Sequence, residues 1–266
     1  MITISNYVRP QTLEEAYTLN QNKRNRIIGG MLWLKMSNEA VGTAIDLCDL
    51  GLNKIEETED AFSIGASVTL RDIELHKGLN AYTQNAVSKA VKDIVGTQFR
   101  NMATVGGSIF GRFGFSDVLT VFLSMDTFVE LYKGGTVPLS DFVTMKPDRD
   151  ILVRIIVKKT PGRFNYLSMR NSRTDFPVIA CAVSLVADEY RAVIGARPGR
   201  AMLITDSQGI LSNGITEESA RTFAGFAADN VPTDNNVRAS AKYRTHLINV
   251  LVRRALSELG GNNYGD

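Results

Sequence analysis

Two glycine pairs in the first half of the chain constrain its fold more than any other feature. Gly29-Gly30 follows Arg26-Ile27-Ile28, which has the composition of a short β-strand, and Gly106-Gly107 lies between the hydroxyl residues Thr104 and Ser108. A glycine pair permits a tight turn and lets the backbone approach a ligand closely, because glycine has no Cβ. We therefore expect two tight junctions between secondary-structure elements within one domain.

The first pair leads into a helix-like segment that contains Leu32, Trp33, Leu34 and Met36. N–H groups that open a helix lack partners within it, so an anion such as a diphosphate fits at this position. A single glycine pair is weak evidence, and the alternative is a plain strand-to-helix turn. Trp33 has two interpretations as well: its ring stacks on another aromatic ring, or it fills the core, which is the more common role.

The second pair belongs to Thr104-Val105-Gly106-Gly107-Ser108, whose successive amides are suited to an anion nest. The stretch 97–126 is the most glycine-punctuated part of the chain, and we expect a functional loop region there. Asp117 either accepts hydrogen bonds from the hydroxyls of a sugar or ribityl chain or caps the following helix, which is the more common role. One long dinucleotide with two phosphates would explain both glycine loops. Neither loop has the GxGxxG pattern of a Rossmann nucleotide site.

The cofactor chemistry open to this chain is limited by its two cysteines, Cys48 and Cys181. An iron–sulfur cluster held by four thiolates needs four cysteines. The two histidines, His76 and His246, cannot supply the clustered ligands of a zinc site. Any redox cofactor is therefore organic or belongs to another chain. Isolated cysteines of this kind are usually buried small hydrophobes in a reducing compartment.

The near balance of charge argues against other classes of partner. Lys and Arg number 30 and Asp and Glu 28, which gives a formal net charge of +2. This balance gives no reason to expect nucleic acid or an anionic membrane as partner. No apolar run is long enough for a transmembrane helix, and the N-terminus lacks the basic start and apolar run of a signal peptide. We expect a cytoplasmic protein without a membrane span.

Apolar periodicity predicts an α+β fold in which strands and helices are intermixed. The predicted strands lie near residues 7–8, 26–28, 43–47, 61–66, 128–132, 151–157, 180–186 and 190–194. Predicted helices follow the capping residues Thr12 and Thr69. Another spans 84–95, and the last one, with an apolar face, lies after Ser240. The charged segment 158–163, with Pro161-Gly162, is the best candidate for a domain boundary.

Several segments also resemble the signatures of a known family. RIIGGMLWLKM (26–36) resembles the "AGGTDLL" loop of the FAD-binding subunits of molybdenum hydroxylases, which include xanthine, carbon monoxide and nicotinate dehydrogenases. GTQFRNMATVGGSIFGRFGFSD (96–117) resembles their second signature, "RNxATxGGNIxxxxPxxD", and LSMD (123–126) resembles "LLALDA". RNSRTDFPVIACAVSL (170–185) and NVRASAKYRTHLINVLVRRAL (236–256) are similar to their C-terminal signatures. The match is collinear from about residue 4 to 259.

The resemblance implies a fold and a set of FAD contacts. It implies a PCMH-type FAD-binding domain over 1–160, with two α+β subdomains of about 1–57 and 58–160 that clasp the flavin diphosphate. A small α/β C-terminal domain over 163–266 follows. The diphosphate is expected against the two glycine loops, a sugar-chain hydroxyl at Asp117, and the flavin ring near Ile94 and Val95. The implied cofactor-binding residues are Ile28, Gly29, Gly30, Met31, Leu32, Trp33, Ile94, Thr104, Val105, Gly106, Gly107, Ser108 and Asp117. No catalytic residue and no metal ligand is expected in this chain.

The chain departs from the family pattern at four places. Met31-Leu32 stands where the family usually has Thr followed by Asp or Ser, so a hydroxyl and a polar side chain are lost beside the phosphates. Ser108 replaces the usual Asn, and Gly114 stands about where a proline is common. No lysine precedes Asp175, although many relatives have one there.

The resemblance implies an electron-transfer subunit. Electrons would pass from a molybdopterin-binding subunit through a [2Fe-2S] iron–sulfur subunit to FAD on this chain, and then to NAD or another acceptor. Two alternatives stay open: a stand-alone flavin oxidoreductase, and a non-enzymatic scaffold with a decayed flavin site. Colour of the purified protein separates the scaffold from the others. Co-purified iron and molybdenum separate the subunit from the stand-alone enzyme.

Overall fold

The computed structural model describes residues 1–261, so residues 262–266 of the predicted C-terminal domain lie outside it. The chain begins with a small parallel sheet of β1 (Thr3–Val8), β2 (Arg26–Ile28) and β3 (Ala40–Asp46), in the order β1-β3-β2. Helix α1 (Leu13–Asn20) connects β1 to β2, and Ala16 is buried on its inner face. The first glycine pair follows β2 directly, at one end of this sheet.

A second, antiparallel sheet follows in the order β4-β5-β8-β6-β7. Its strands are β4 (Ile55–Glu57), β5 (Ala61–Gly65), β6 (Thr127–Leu131), β7 (Gly135–Pro138) and β8 (Leu152–Lys158). Six helices connect β5 to β6: α2 (Leu70–Leu75), α3 (Lys77–Tyr82), α4 (Ala86–Val91), α5 (Thr97–Arg100), α6 (Val105–Phe110) and α7 (Asp117–Leu123). Helix α8 (Leu139–Thr144) follows β7. These helices cover the apolar side of the sheet, where Phe62, Ile64 and Ile155 are completely buried.

The third sheet is an antiparallel meander in the order β12-β11-β10-β9. Its strands are β9 (Gly162–Arg170), β10 (Pro177–Val186), β11 (Glu189–Gly195) and β12 (Met202–Thr205). Two helices, α9 (Glu217–Asn230) and α10 (Ala241–Leu259), pack on one face of this sheet through apolar residues such as Leu247, Leu251 and Ala255. This is the helix face that the apolar spacing of the last segment predicts.

Strand β10 is buried on both faces and holds the third sheet against the rest of the protein. Ile179, Cys181 and Val183 belong to the hydrophobic cluster under α9 and α10, whereas Ala180 and Ala182 join the cluster of α7 and the second sheet. Successive residues of a strand point to opposite faces, so both sides of this strand need apolar residues. The neighbouring strand β9 is thereby brought against α7.

The α+β class predicted from the sequence is confirmed, and so are the predicted helix caps Thr12 and Thr69, while Ser240 is a further cap. Thr12, Thr69 and Ser240 each accept a hydrogen bond from the backbone N–H three residues later, at 3.1 to 3.2 Å. Among residues 1–261, no helix has both the length and the apolar composition that crossing a bilayer requires.

Three local predictions were wrong. The segment after Gly29-Gly30 is a single 3-10 turn over Leu34–Met36 and not an α-helix. The glycine-rich stretch is largely helical, and Gly106-Gly107 lies inside α6 because Thr104 caps that helix by accepting from the Gly107 N–H at 3.1 Å. Cys48 is exposed, and only Cys181 is buried as expected.

The predicted division into domains stays a prediction. Strand β4 lies before residue 58 but pairs with β5 of the second sheet. Phe164 and Tyr166 lie after residue 163 but belong to the same hydrophobic cluster as that sheet. The second sheet therefore contains a strand from before residue 58, and its hydrophobic cluster includes side chains from after residue 163.

Candidate functional site

A cavity of about 610 Å³ opens between the first glycine loop, the helices α5 to α7, and the junction of β9 with β10. A second cavity of about 360 Å³ lies between the first and second sheets. Ile28, Gly29, Thr104 and Gly107 are among the residues that line both cavities, and we call these four the seam. The seam therefore borders both cavities.

The structure brings together most of the residues that the sequence singles out. The larger cavity is lined by Ile28, Gly29, Gly30, Met31, Leu32, Trp33, Ile94, Thr104, Gly107, Ser108 and Asp117. Gly106 lines only the smaller cavity. Val105 lines neither of these two cavities, because its side chain is fully buried in the core of the second sheet.

The glycine pairs allow close packing between the two loops. A Cβ on Gly30 would lie 1.8 Å from the Met102 carbonyl oxygen, and a Cβ on Gly29 would lie 2.8 Å from Thr104 Oγ1. A Cβ on Gly106 would meet the Ala66 carbonyl oxygen at 2.5 Å. These distances are shorter than non-bonded atoms tolerate, so packing requires glycine at these three positions.

The second loop does not offer the anion nest that the sequence suggests. The four backbone N–H groups from Val105 to Ser108 already donate to the carbonyls of Val68, Ala66 and Thr104 and to Thr104 Oγ1, at 2.9 to 3.1 Å. The prediction of free successive amides at this loop was therefore wrong, because helix α6 and its packing against the end of β5 use them.

The first loop retains free donors. The backbone N–H groups from Gly30 to Trp33 donate to no protein group within the described residues 1–261. Met31 adopts the left-handed backbone conformation, with φ of 57°. A left-handed residue within such a run is the conformation from which anion-binding concavities are built. The four free amides lie where the chain lacks the polar side chains of the family signature that it resembles, so the backbone is the source of donors here.

Asp117 is a buried ion-pair partner and not a helix cap. Ser116 caps α7 by accepting from the Leu119 N–H at 3.1 Å, and Asp117 is the first helical residue. Asp117 Oδ1 accepts from Arg170 Nη2 at 2.7 Å and from Tyr166 Oη. Burial raises the pKa of the Asp117 carboxyl, and the Arg170 cation opposes this effect.

Both partners of Asp117 come from β9, where a spacing of four residues places them on one face of the strand. Arg170 forms the ion pair with Asp117 and also lines the larger cavity. Tyr166 was missed. The sequence indicates only that Tyr166 would share a strand face with Arg170. It does not show that this face of β9 lies against α7.

An aromatic cluster forms one wall of the larger cavity. The Trp33 ring lies 6.0 Å from Phe99, 5.4 Å from Phe115 and 5.5 Å from Phe176, measured between ring centroids. Trp33 is still 38% exposed, so the more common role of core filling does not describe it. The three phenylalanines were not predicted as site residues, although Phe99 and Phe115 lie within the segment that resembles the second family signature.

Ile94 and Val95 belong to the turn that follows α4, and both line the larger cavity. Val95 is 46% exposed and has a left-handed φ of 49°. The Ile94 carbonyl accepts a hydrogen bond from Arg100 Nη1 at 3.2 Å, and Arg100 Nε is bound to Glu74 at 2.7 Å. This buried pair fixes the backbone that carries the two apolar residues.

The arrangement suits a ligand with an anionic middle and a planar aromatic end. Free amides lie beside the seam, apolar and aromatic side chains line the larger cavity, and a carboxylate with a fixed cation borders it. Among residues 1–261, no three His, Cys, Asp or Glu side chains are placed to hold a metal ion.

Comparison with known proteins identifies relatives. Residues 3–159 match the family described as the FAD binding domain in molybdopterin dehydrogenase. The uncharacterized protein YgfM of Escherichia coli K12 is 24% identical over 254 residues, which cover 94% of each chain. The nicotine 6-hydroxylase medium subunit of Paenarthrobacter nicotinovorans is 24% identical over 276 residues, which cover 96% of each chain.

Solved structures have the same fold. Carbon monoxide dehydrogenase from Hydrogenophaga pseudoflava aligns with a TM-score of 0.86 at 21% identity, over 97% of this chain and 98% of that chain. Quinoline 2-oxidoreductase from Pseudomonas putida 86 aligns with a TM-score of 0.84 at 18% identity, over 97% of each chain. The similarity extends over all three sheets.

Proposed function

The chain belongs to the family of FAD-binding domains in molybdopterin dehydrogenases, and on this premise we propose that it carries FAD as the electron-transfer subunit of a molybdenum-hydroxylase-type oxidoreductase. The observation that carries the proposal is the run of free backbone N–H groups from Gly30 to Trp33, placed beside the seam between two cavities. A diphosphate needs such donors.

The residues that line the two cavities fit the successive parts of FAD. In our proposal the diphosphate lies against the free amides of the first glycine loop. The planar flavin ring enters the larger cavity with its aromatic wall, and the adenosine end enters the smaller one. Ile28, Gly29, Thr104 and Gly107 line both cavities, and this shared lining supports one ligand that crosses the seam.

Asp117 has a specific part in this proposal. Its carboxylate borders the larger cavity, and a carboxylate accepts hydrogen bonds from the hydroxyls of a ribityl chain. Arg170, at 2.7 Å, favours the ionised carboxylate that this task requires. Helix α7 would therefore carry the Asp117 carboxylate that accepts these hydrogen bonds, and Arg170 of the third sheet would orient it.

When bound, FAD supplies the redox chemistry, and the protein supplies binding, orientation and exclusion of water. We propose that a [2Fe-2S] subunit delivers electrons taken from a molybdopterin-binding subunit, and that NAD or another acceptor receives them. The relatives support an assembly of several chains, since one of them is named a medium subunit. Of the two cysteines, Cys48 is exposed and Cys181 is buried, so a four-thiolate cluster must lie on another chain.

The free amides also bear on the scaffold alternative. None of the residues from Gly30 to Trp33 is buried, so their N–H groups are accessible to a ligand. The loss of polar side chains at Met31-Leu32 leaves these backbone donors unchanged, because they belong to the main chain.

The test is a visible absorption spectrum of the whole purified chain, before and after addition of FAD and after desalting. We expect the two visible bands of oxidised flavin to persist through desalting. A chain that is colourless after FAD has been added and the sample desalted contradicts the proposal. Affinity purification from the native host, followed by assays for iron and molybdenum, then tests the partners. A coloured chain that brings neither metal supports a stand-alone flavin oxidoreductase instead.

A further inference from the structure

Trp33 is the one tryptophan of the chain, and it lies on the same loop as the free amides. It comes two residues after the left-handed Met31 and directly before the 3-10 turn at Leu34–Met36. Its side chain lines the larger cavity and is 38% exposed, whereas the largest core rings, Phe62 and Phe122, are completely buried. An aromatic ring of this size with open surface at a cavity is available to a ligand.

Three other rings fix the indole in place. Phe99 contacts it edge-on at an interplanar angle of 65°, while Phe115 and Phe176 contact it at 59° and 35°. The three rings come from α5, from the loop before α7 and from the segment that precedes β10. An indole that is already held loses little rotational freedom when a ligand binds, so its contact contributes more to affinity.

The cluster is itself anchored to the C-terminal part of the chain. Arg238 lies over the Phe176 ring at 4.7 Å and forms an ion pair with Asp175 at 3.0 Å. Phe176 also meets Phe115 edge-on, with ring centroids 4.6 Å apart. The position of Trp33 is therefore set by segments that lie between β5 and β6 and between β9 and β10.

We propose that Trp33 contacts the planar ring of the bound flavin and sets its affinity and its fluorescence, an inference that rests on the FAD function proposed above. The ligand chemistry follows from the site: an electron-rich indole in an apolar wall favours a planar, electron-poor aromatic group. The corresponding position of the family motif quoted above is leucine, so this contact would be a feature of this chain.

The experiment compares Trp33→Leu and Trp33→Phe with the wild-type chain and with Tyr243→Leu. Tyr243 is an exposed ring on α10 that contacts His246 and lines neither described cavity, so it serves as the matched control. FAD affinity is measured by ultrafiltration with detection of flavin absorbance. The fluorescence of the bound flavin is measured at saturation, because an aromatic ring quenches it only in contact.

Trp33→Leu should bind FAD about tenfold more weakly, which corresponds to about 1.4 kcal/mol. The bound flavin should become several times more fluorescent. Trp33→Phe should show smaller changes of the same sign, and Tyr243→Leu none. Thermal unfolding of the apo chain checks that each variant folds. Should Trp33→Leu fail to fold, Trp33→Phe decides through the same two measurements.

Wild-type affinity together with unchanged flavin emission in the folded variants would overturn the role of Trp33 and leave the FAD function intact. A wild-type chain that binds no FAD overturns both proposals.

Discussion

Arg170 Nη2 lies 2.7 Å from Asp117 Oδ1, and this ion pair joins β9 of the third sheet to the first residue of α7. The two side chains are 7% and 4% exposed. Tyr166 Oη donates to the same carboxylate oxygen. Because both charges are withdrawn from water, removal of one leaves the other without compensation, and the junction between the sheet and the cavity depends on the pair.

Arg170→Met should lower the free energy of unfolding by about 3 kcal/mol, since it leaves a buried carboxylate unpaired. Denaturant unfolding measures this loss. Arg173→Met is the matched control, because Arg173 pairs with Asp93 at 2.9 Å but is 82% exposed. An exposed pair contributes less than about 1 kcal/mol. Equal losses in free energy of unfolding in the two variants would show that the buried Arg170 pair contributes no more to stability than an exposed pair.

A second buried pair predicts a pH dependence. Burial raises the pKa of Glu74, but the ion pairs with Arg100 and Arg71 outweigh it and hold the pKa below its ordinary value. A carboxyl with a lowered pKa in the folded state contributes stability that is complete above its unfolded pKa of about 4.3. This contribution is lost as the pH falls through the folded-state pKa.

The wild-type chain should therefore lose more stability below about pH 5 than Glu74→Gln does. At neutral pH the variant should be less stable by roughly 1 to 3 kcal/mol, the size of a charge-assisted hydrogen bond. Denaturant unfolding at a series of pH values gives both numbers. Glu59→Gln, at an exposed glutamate that joins no ion pair within residues 1–261, should follow the wild-type profile. A Glu74→Gln curve parallel to the wild type would rule out this source of the pH dependence.

Local chemistry was sufficient to predict part of the fold. Thr12 and Thr69 were predicted as helix caps because a cap depends on residues three positions apart. The strand over 180–186 was predicted from its apolar run. These features depend on neighbours in sequence, which a single chain displays directly.

The chemistry of the site depends on distant residues and was harder to predict. Asp117 was expected to cap a helix or to hold a sugar hydroxyl, but its partners Tyr166 and Arg170 lie 49 and 53 residues further along the chain. The Gly106 and Gly107 amides were expected to be free, but they donate to the Ala66 carbonyl and to Thr104 Oγ1. The sequence does not show that Ala66 lies next to this loop. The free donors instead lie on the first loop, where the sequence departs from its family.

The two cysteines should differ sharply in reactivity. Burial raises the pKa of the Cys181 thiol to about 12, so this thiol stays protonated and out of reach at neutral pH. Cys48 is exposed. We expect one thiol per native chain to react with a disulfide reagent and two after denaturation. Cys48→Ser should abolish the native reaction. A native Cys48→Ser chain that still reacts would show that the core around β10 opens readily.

Gly30, next to the seam, should be the most sensitive position of the two glycine loops. In Gly30→Ala the new Cβ would lie 1.8 Å from the Met102 carbonyl oxygen and 2.5 Å from its carbon, so the two loops must separate. We expect FAD retention after desalting to fall at least about tenfold and stability to fall by about 1 to 3 kcal/mol. Gly225→Ala is the control, since its Cβ would meet only Asn249 Oδ1, at 3.9 Å, and alanine favours helix α9 by about 1 kcal/mol. Retention of FAD by Gly30→Ala at the level of Gly225→Ala would mean that close contact between the loops is not needed for binding, and the diphosphate would have to be held elsewhere.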